Sequence, residues 1–294
     1  MQQDSLFRIA REAPQHTLPY HRRLSFEVTP PLPDEPLDPL LRIAEELARH
    51  EPVAFAVTND PRGIPRQLPF ATAAAIRQVT GCPVLVHWRA RQRAGSTPAV
   101  LLAELARYDL TEVLIIGGDH YPPEARVTLD HTFRRTEDAL AALRACAPAE
   151  VCFYAAAHPR RSPLTEDRRI AGKISGGAQG FITQAVFSAE EYTVYRDRQL
   201  ARGMSAVIVP GILPISSASF LERLASLKEI RVPEHYAAQF AGKTLREATQ
   251  LGGRLAAHLA RELFEAGAPV VHIFNAERPR LIEWLVRELR DGEA

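Results

Sequence analysis

The chain has 294 residues, 46% hydrophobic and 24% charged, the balance of an ordinary globular protein with enough sequence for one sizeable core. Its formal net charge of +1 gives no basic field for nucleic acid or an acidic membrane surface, so partners must be argued from local sites. Three cysteines without C-x-x-C spacing argue against a disulfide framework and suit a reducing cytoplasm, and no run approaches the ~20 apolar residues of a membrane span.

Residues 1–20 are polar, lack a hydrophobic signal core and read as an appended arm, so a cytoplasmic location is expected. From residue 21 to 294 short apolar runs alternate with helical patterns, and no composition break marks a second domain. The predicted strands begin with LSFEV (24–28), VAFAVT (53–58), PVLVHW (83–88) and EVLIIGG (112–118). They continue with EVCFYAA (150–156), GFITQ (180–184), AVIVPG (206–211) and PVVHIF (269–274). Apolar runs without alternation suit strands covered on both faces, as in a parallel sheet.

Helix starts separate these runs. Thr97-Pro98 and Ser162-Pro163 each place a capping residue before a proline at the first helical position. Ser188 with Glu191, and Ser219 with Glu222, have capping-box spacing. Leu255, Leu259 and Leu263 follow one helix face, and Gly267 closes that helix. A strand followed by a helix, about eight times over, predicts a (β/α)8 TIM-type barrel in a single domain. The rival is an open doubly wound sheet, which loses support because no G-x-G-x-x-G follows the first strand.

A barrel builds its site at the C-terminal ends of its strands. Glu27, Thr58, His87, Asp119, Tyr154, His158, Gln184, Asn275 and Arg278 all stand at or just beyond predicted strand ends. Each has a plainer reading. Glu27 before two prolines would do as a solvated loop group, GGDHYPPE as a turn, and the histidines as satisfied structural groups. His120 and His131 have carboxylate neighbours, but no H-x-H or H-x-x-x-H spacing converges on an ion, so no metal is expected. There is no G-x-S-x-G elbow and no P-loop.

Six stretches, SFEVTPP, VLIIGGDHYPP, KISGGAQGFITQAVF, VIVPGILPIS, RVPEHYAAQF and VHIFNAER, resemble the methylenetetrahydrofolate reductase family, in the family's order, from about residue 22 to 290. GGAQGFITQ and PGILPI are the most specific of them. The resemblance implies an FAD-containing barrel of one-carbon metabolism and methionine biosynthesis. NADH or NADPH would reduce the flavin, which passes hydride to 5,10-methylenetetrahydrofolate in a ping-pong scheme. It also implies roles for single residues. Glu27 matches the general acid, whose pKa must sit above the ~4.3 of a free glutamate. Asp119 matches the aspartate of the Gly-Asp turn, beside pterin and flavin. Gln184 matches the pterin-contacting glutamine, and Phe220 and Arg278 fall where the family contacts substrate. Thr58, His87, Asp119, Tyr154, His158 and Lys173 fall on flavin positions, Lys173 as a partner for the pyrophosphate.

The sequence also departs from the family. The turn after the second strand is Asn59-Asp60-Pro61-Arg62-Gly63, His-Leu-Thr-Cys becomes His87-Trp88-Arg89-Ala90, and Gly117 replaces an arginine. Ala171-Gly172 stands where the family tends to be basic. Arg62, Arg89 and Arg91 are candidates for replacement charge. These changes cluster on the flavin side, so an alternative is a divergent pterin-binding relative without a standard flavin site, acting with a partner subunit. The NADH or NADPH preference, a homo-oligomer and an electron-transfer partner stay open.

Overall fold

Apolar runs bounded by turns form the strands β1 Leu24–Val28, β2 Ala54–Val57, β3 Val84–Arg89 and β4 Glu112–Ile116. After them come β5 Cys152–Ala157, β6 Gly180–Ala185, β7 Val207–Ile212 and β8 Val271–Ile273. A computed structural model describes residues 6–12, 18–61, 69–93, 97–118, 129–130, 133–225, 230 and 232–292. In it every strand lies beside its sequence neighbours, and β8 returns to β1 to close a parallel barrel. The closing register is Leu24 with Val271, Ser25 with His272 and Phe26 with Ile273.

The helices are α1 Leu6–Glu12, α2 Asp38–Ala48, α3 Pro69–Thr80, α4 Pro98–Arg107, α5 Thr136–Cys146 and α6 Pro163–Ser175. They continue with α7 Ala189–Ala201, α8 Ala218–Ala225, α9 Glu234–Ala238, α10 Leu245–Glu265 and α11 Pro279–Asp291. Among the described residues no helix is long and apolar enough to cross a membrane.

Helix starts follow local chemistry. Thr97 accepts from the Val100 amide and Ser188 from the Glu191 amide, as their spacing predicts. Ser162 instead bonds the Thr165 hydroxyl at 3.0 Å. The predicted Ser219 cap is displaced by two residues, because Ser217 Oγ accepts from the Phe220 amide at 3.1 Å and α8 starts earlier. The complete capping box lies at Thr244 and Glu247, opening α10.

Alternation along each strand separates two cores. Leu24, Phe26 and Val28 of β1 face the helices, together with Val86 and Trp88 of β3 and Val113 and Ile115 of β4. Ala54, Ala56, Leu85, Leu114, Tyr154, Ile182 and Val209 belong to a second cluster inside the barrel, which also holds Leu6, Phe7 and Ala10 of α1. The arm predicted from residues 1–20 therefore sends a short helix into the N-terminal end of the barrel. Phe7 stacks on Tyr154 with ring centroids 3.8 Å apart. Gly180, the first residue of β6, leaves room for this, since a Cβ there would collide with the Phe7 ring. The lower barrel is thus filled by side chains.

Phe7→Ala should lower the unfolding free energy by roughly 3–5 kcal/mol, the usual cost of emptying a buried phenylalanine site. Denaturant titration with an unchanged m-value checks it.

Candidate active site

The same alternation that turns Phe26 outward turns Ser25 and Glu27 into the barrel, and Glu27 stands near the C-terminal end of β1. It is 8% exposed. His87 from β3 and His272 from β8 approach it, with Nε2 at 3.9 Å and 3.7 Å from the same carboxylate oxygen, Oε2. Both contacts are longer than hydrogen bonds. The opposite ring nitrogen of His272, Nδ1, lies 2.9 Å from Ser25 Oγ. The backbone amide of Asn275, a residue with a left-handed backbone (φ 51), favours the charged form of the carboxylate.

Burial dominates the electrostatics. It raises the Glu27 pKa above the usual carboxylate value, the direction a neutral proton donor requires, with His87 and the Asn275 amide opposing. Burial also pushes His87 down to about 4 and His272 down to about 3. Both imidazoles are therefore neutral at physiological pH, leaving a protonatable carboxyl between two rings that do not compete for its proton. His272 was not among the sequence candidates. No local sequence signal marks it: it pairs in register with Ser25, two residues before Glu27, only where the barrel closes.

The other candidates divide. Gln184, the penultimate residue of β6, lies at an irregular register against β7, between Ile182 and Ala185, and such bulges re-aim side chains beside functional sites. It therefore shares the C-terminal end of the barrel with Glu27. Phe220 on α8 and Arg278 after β8 come together, the guanidinium carbon lying 5.6 Å from the ring centroid. Arg223 approaches the same ring at 5.5 Å. Thr58 and His87 are buried at the rim, and Thr58 Oγ1, Asn59 Oδ1 and His87 Nε2 have no hydrogen-bond partner. His158 sits just beyond β5, its amide donating to Glu166 Oε1 at 2.7 Å, and burial pushes its pKa down to about 3.

Two flavin-position candidates are turned elsewhere. Tyr154 does not reach the rim, because the third residue of β5 points into the lower barrel, where its hydroxyl donates to Glu112 Oε1 at 3.0 Å beneath Phe7. Lys173 is buried, and its ammonium donates to the Ala156 carbonyl at 2.6 Å. Burial pulls that ammonium down to about 8 against the attraction of Glu166 and Glu137.

The replacement arginines also serve the protein itself. Arg89, fully buried, donates to the Asp60 carbonyl at 2.8 Å, and Arg91 donates to the Gly118 carbonyl at 2.6 Å. Gly118 has φ 75 and packs so closely on Arg89 that a Cβ there would collide with it. Asp119, Arg62, His120 and His131 lie outside the described residues.

The family model described as methylenetetrahydrofolate reductase matches residues 15–290. The chain belongs to the methylenetetrahydrofolate reductase family. The 5,10-methylenetetrahydrofolate reductase of Salmonella typhimurium is 22% identical over 263 residues, covering 88% of this chain and 87% of the relative. That of Escherichia coli is 23% identical over the same length, with the same coverage. That of Pectobacterium carotovorum is 32% identical over 134 residues, 45% of each chain. Among solved structures, a Clostridium thermocellum protein described as binding two copies of 5-methyl-5,6,7,8-tetrahydrofolic acid aligns with a TM-score of 0.64 and 17% identity. The alignment covers 92% of this chain and 94% of that one, and it shows a shared fold.

Ring signals of His87, His158 and His272 should keep neutral-imidazole shifts from about pH 8 down to about pH 5, where an ordinary histidine has already titrated near ~6.5. Histidine-edited NMR checks this. Because unfolding frees these rings to take up protons, they should make stability fall as pH drops from ~6.5 toward the folded-state values. Glu27 contributes the opposite slope, losing its stabilisation as pH rises through its raised value.

Proposed function

We propose that this protein reduces 5,10-methylenetetrahydrofolate to 5-methyltetrahydrofolate, with Glu27 as general acid. The observation that carries the reading is the buried carboxyl of Glu27, held between neutral His87 and His272 at the barrel end that also bears Gln184. The membership of the chain in its family supports the substrate class. So does the C. thermocellum neighbour described as binding methyltetrahydrofolate.

The chemistry explains why a carboxyl belongs there. The methylene carbon bridges two nitrogens in a five-membered ring and is a poor hydride acceptor. Proton transfer from Glu27 to one of those nitrogens breaks its bond to the methylene carbon and leaves an iminium cation, a good acceptor. Hydride addition at that carbon then gives the methyl group. The Glu27 anion left behind faces the Asn275 amide, which favours its charged form. Gln184 can donate and accept along the pterin edge. Phe220 and Arg278 offer an aromatic face and a cation to the rest of the substrate. Asp119 is assigned to the same reaction, as an anion that stabilises the transient cation.

The family generally uses a flavin and a reduced nicotinamide. The orphaned Thr58 Oγ1, Asn59 Oδ1 and His87 Nε2 fit the polar edge of a flavin ring, and Thr58, His87, Asp119 and His158 would hold FAD. When bound, FAD supplies the hydride and NADH or NADPH restores it. Lys173 would have to leave the Ala156 carbonyl to meet a pyrophosphate.

The inward-turned Tyr154 and Lys173 favour a second reading, a folate-binding member of one-carbon metabolism that works with a partner subunit. In either case the reading is of a cytoplasmic protein. A flavin absorbance band in the purified protein, bleached by NADH or NADPH and restored by methylenetetrahydrofolate, is expected on the first reading. Its absence, even on titration with FAD, would remove that cofactor.

Glu27→Gln should lower folate reduction by roughly 100-fold or more, the scale of general-acid catalysis, while sparing nicotinamide-driven flavin reduction. Stopped-flow measurement of the two half-reactions checks it, and equal loss of both would remove Glu27 from the acid role.

A further inference from the structure

Two cations meet on one aromatic ring at the barrel mouth. Phe220, in the first turn of α8, is half-buried and rests on an apolar cluster that holds Ala185, Leu213 and Ile215. Arg278, in the loop after β8, places its guanidinium carbon 5.6 Å from the centre of that ring. Arg223 stands one turn after Phe220 on α8 and places its own at 5.5 Å. Both arginines are exposed, so the pair faces solvent at the outer edge of the mouth.

A row of ring contacts joins this edge to the acid. His272 Nε2 lies 3.7 Å from Glu27 Oε2, and its ring packs edge-on against Phe274 with centroids 4.9 Å apart. Phe274 in turn packs against the same cluster as Phe220. Gly211 of β7 makes this seat possible, since a Cβ there would collide with the Phe274 ring. From inside outward the mouth therefore presents a proton donor, an aromatic surface and paired cations.

That order matches a reduced folate taken end to end: a pterin with the reacting nitrogens, a flat benzoyl ring, and a glutamyl group with two carboxylates. We propose that Arg223 is a specificity-determining residue, which with Arg278 forms a two-cation seat for the two carboxylates of the glutamyl end. The inference rests on the folate reading of the site and deepens it. A guanidinium over a ring keeps its in-plane N–H donors available, and their fork fits a carboxylate. Arg278 alone would take one carboxylate and leave the other to water. Because the seat is open to solvent, it contributes selectivity for tail charge and modest affinity, both screened by salt.

Calorimetric titration with 5-methyltetrahydrofolate and with 5-methyltetrahydropteroate, which ends at the benzoyl carboxyl and lacks the glutamyl group, tests the seat without turnover. Wild type should bind the folate more tightly than the pteroate, by a margin that shrinks with added salt. Arg223→Met keeps an unbranched side chain beside Phe220 and removes the charge. It should weaken folate binding roughly tenfold and pteroate binding by less than about twofold. Arg223→Lys should recover part of the loss. Arg280→Met removes a charge from an exposed position in the first turn of α11 and should leave both affinities as in wild type.

Equal loss of both ligands in Arg223→Met would make Arg223 a support for the ring, and unchanged folate affinity would leave the tail to Arg278. Either result overturns the proposal. A wild type that binds folate and pteroate equally removes the seat and spares the folate reading, whereas one that binds neither removes both.

Discussion

Closure of the sheet between β1 and β8 is the constraint on which the rest of the structure depends. The last strand has only three residues, Val271–Ile273, so little backbone pairing is available to seal the barrel. Side chains reinforce the seam at both ends. At the lower end Arg23 donates to the carbonyls of Ala268 and Pro269 at 2.5 Å and 2.9 Å and lies over the Phe264 ring. At the upper end Ser25 hydrogen-bonds His272, Glu277 accepts the Thr29 amide, and the Glu27 backbone carbonyl accepts the Ala276 amide. Buried polar groups of this kind are costly unless partnered. Here the partners are drawn from the two strands that must meet and the loops beside them, so the groups that close the barrel also surround Glu27.

This arrangement also explains the asymmetry of the molecule along the barrel axis. Below the seam's midpoint the interior is apolar and filled, with Phe7, Tyr154 and Ile182 packed together. Above it the inward positions turn polar, running through Glu27, His87 and Arg89. Desolvation from below and polar neighbours at the rim together set the protonation states: a neutral imidazole on either side of a carboxyl whose pKa is raised. A solvated carboxylate would be a poor acid near neutral pH, so the plug at one end of the barrel shapes the electrostatics at the other.

Much of this was legible in the sequence. Strand positions followed from the apolar runs, and the barrel from their regular alternation with helices. The residue types that depend on strand ends, Glu27, His87 and Gln184, were placed correctly at the C-terminal end. Tyr154 was not, because a residue near a predicted strand end need not project from it: β5 extends to Ala157, which sinks Tyr154 two side-chain layers down. Lys173 faced inward because a long side chain on a helix can reach the adjacent strand's carbonyl, a choice that helical spacing does not encode. His272 was missed because it gains its meaning only from partners nearly the whole chain away. Ser219 as a cap failed by two residues, since Ser217 offered an equivalent hydroxyl earlier.

The pairing of Ser25 with His272 spans 247 positions. Contacts of such sequence separation are slow to form, because a long loop must close before they return any stabilisation. During synthesis Glu27 is made among the first residues and meets His272 only when almost the entire polypeptide has left the ribosome. The surroundings of Glu27 are therefore completed late in folding, and a chain stalled before β8 would carry seven strands' worth of scaffold with Glu27 lacking its His272 neighbour.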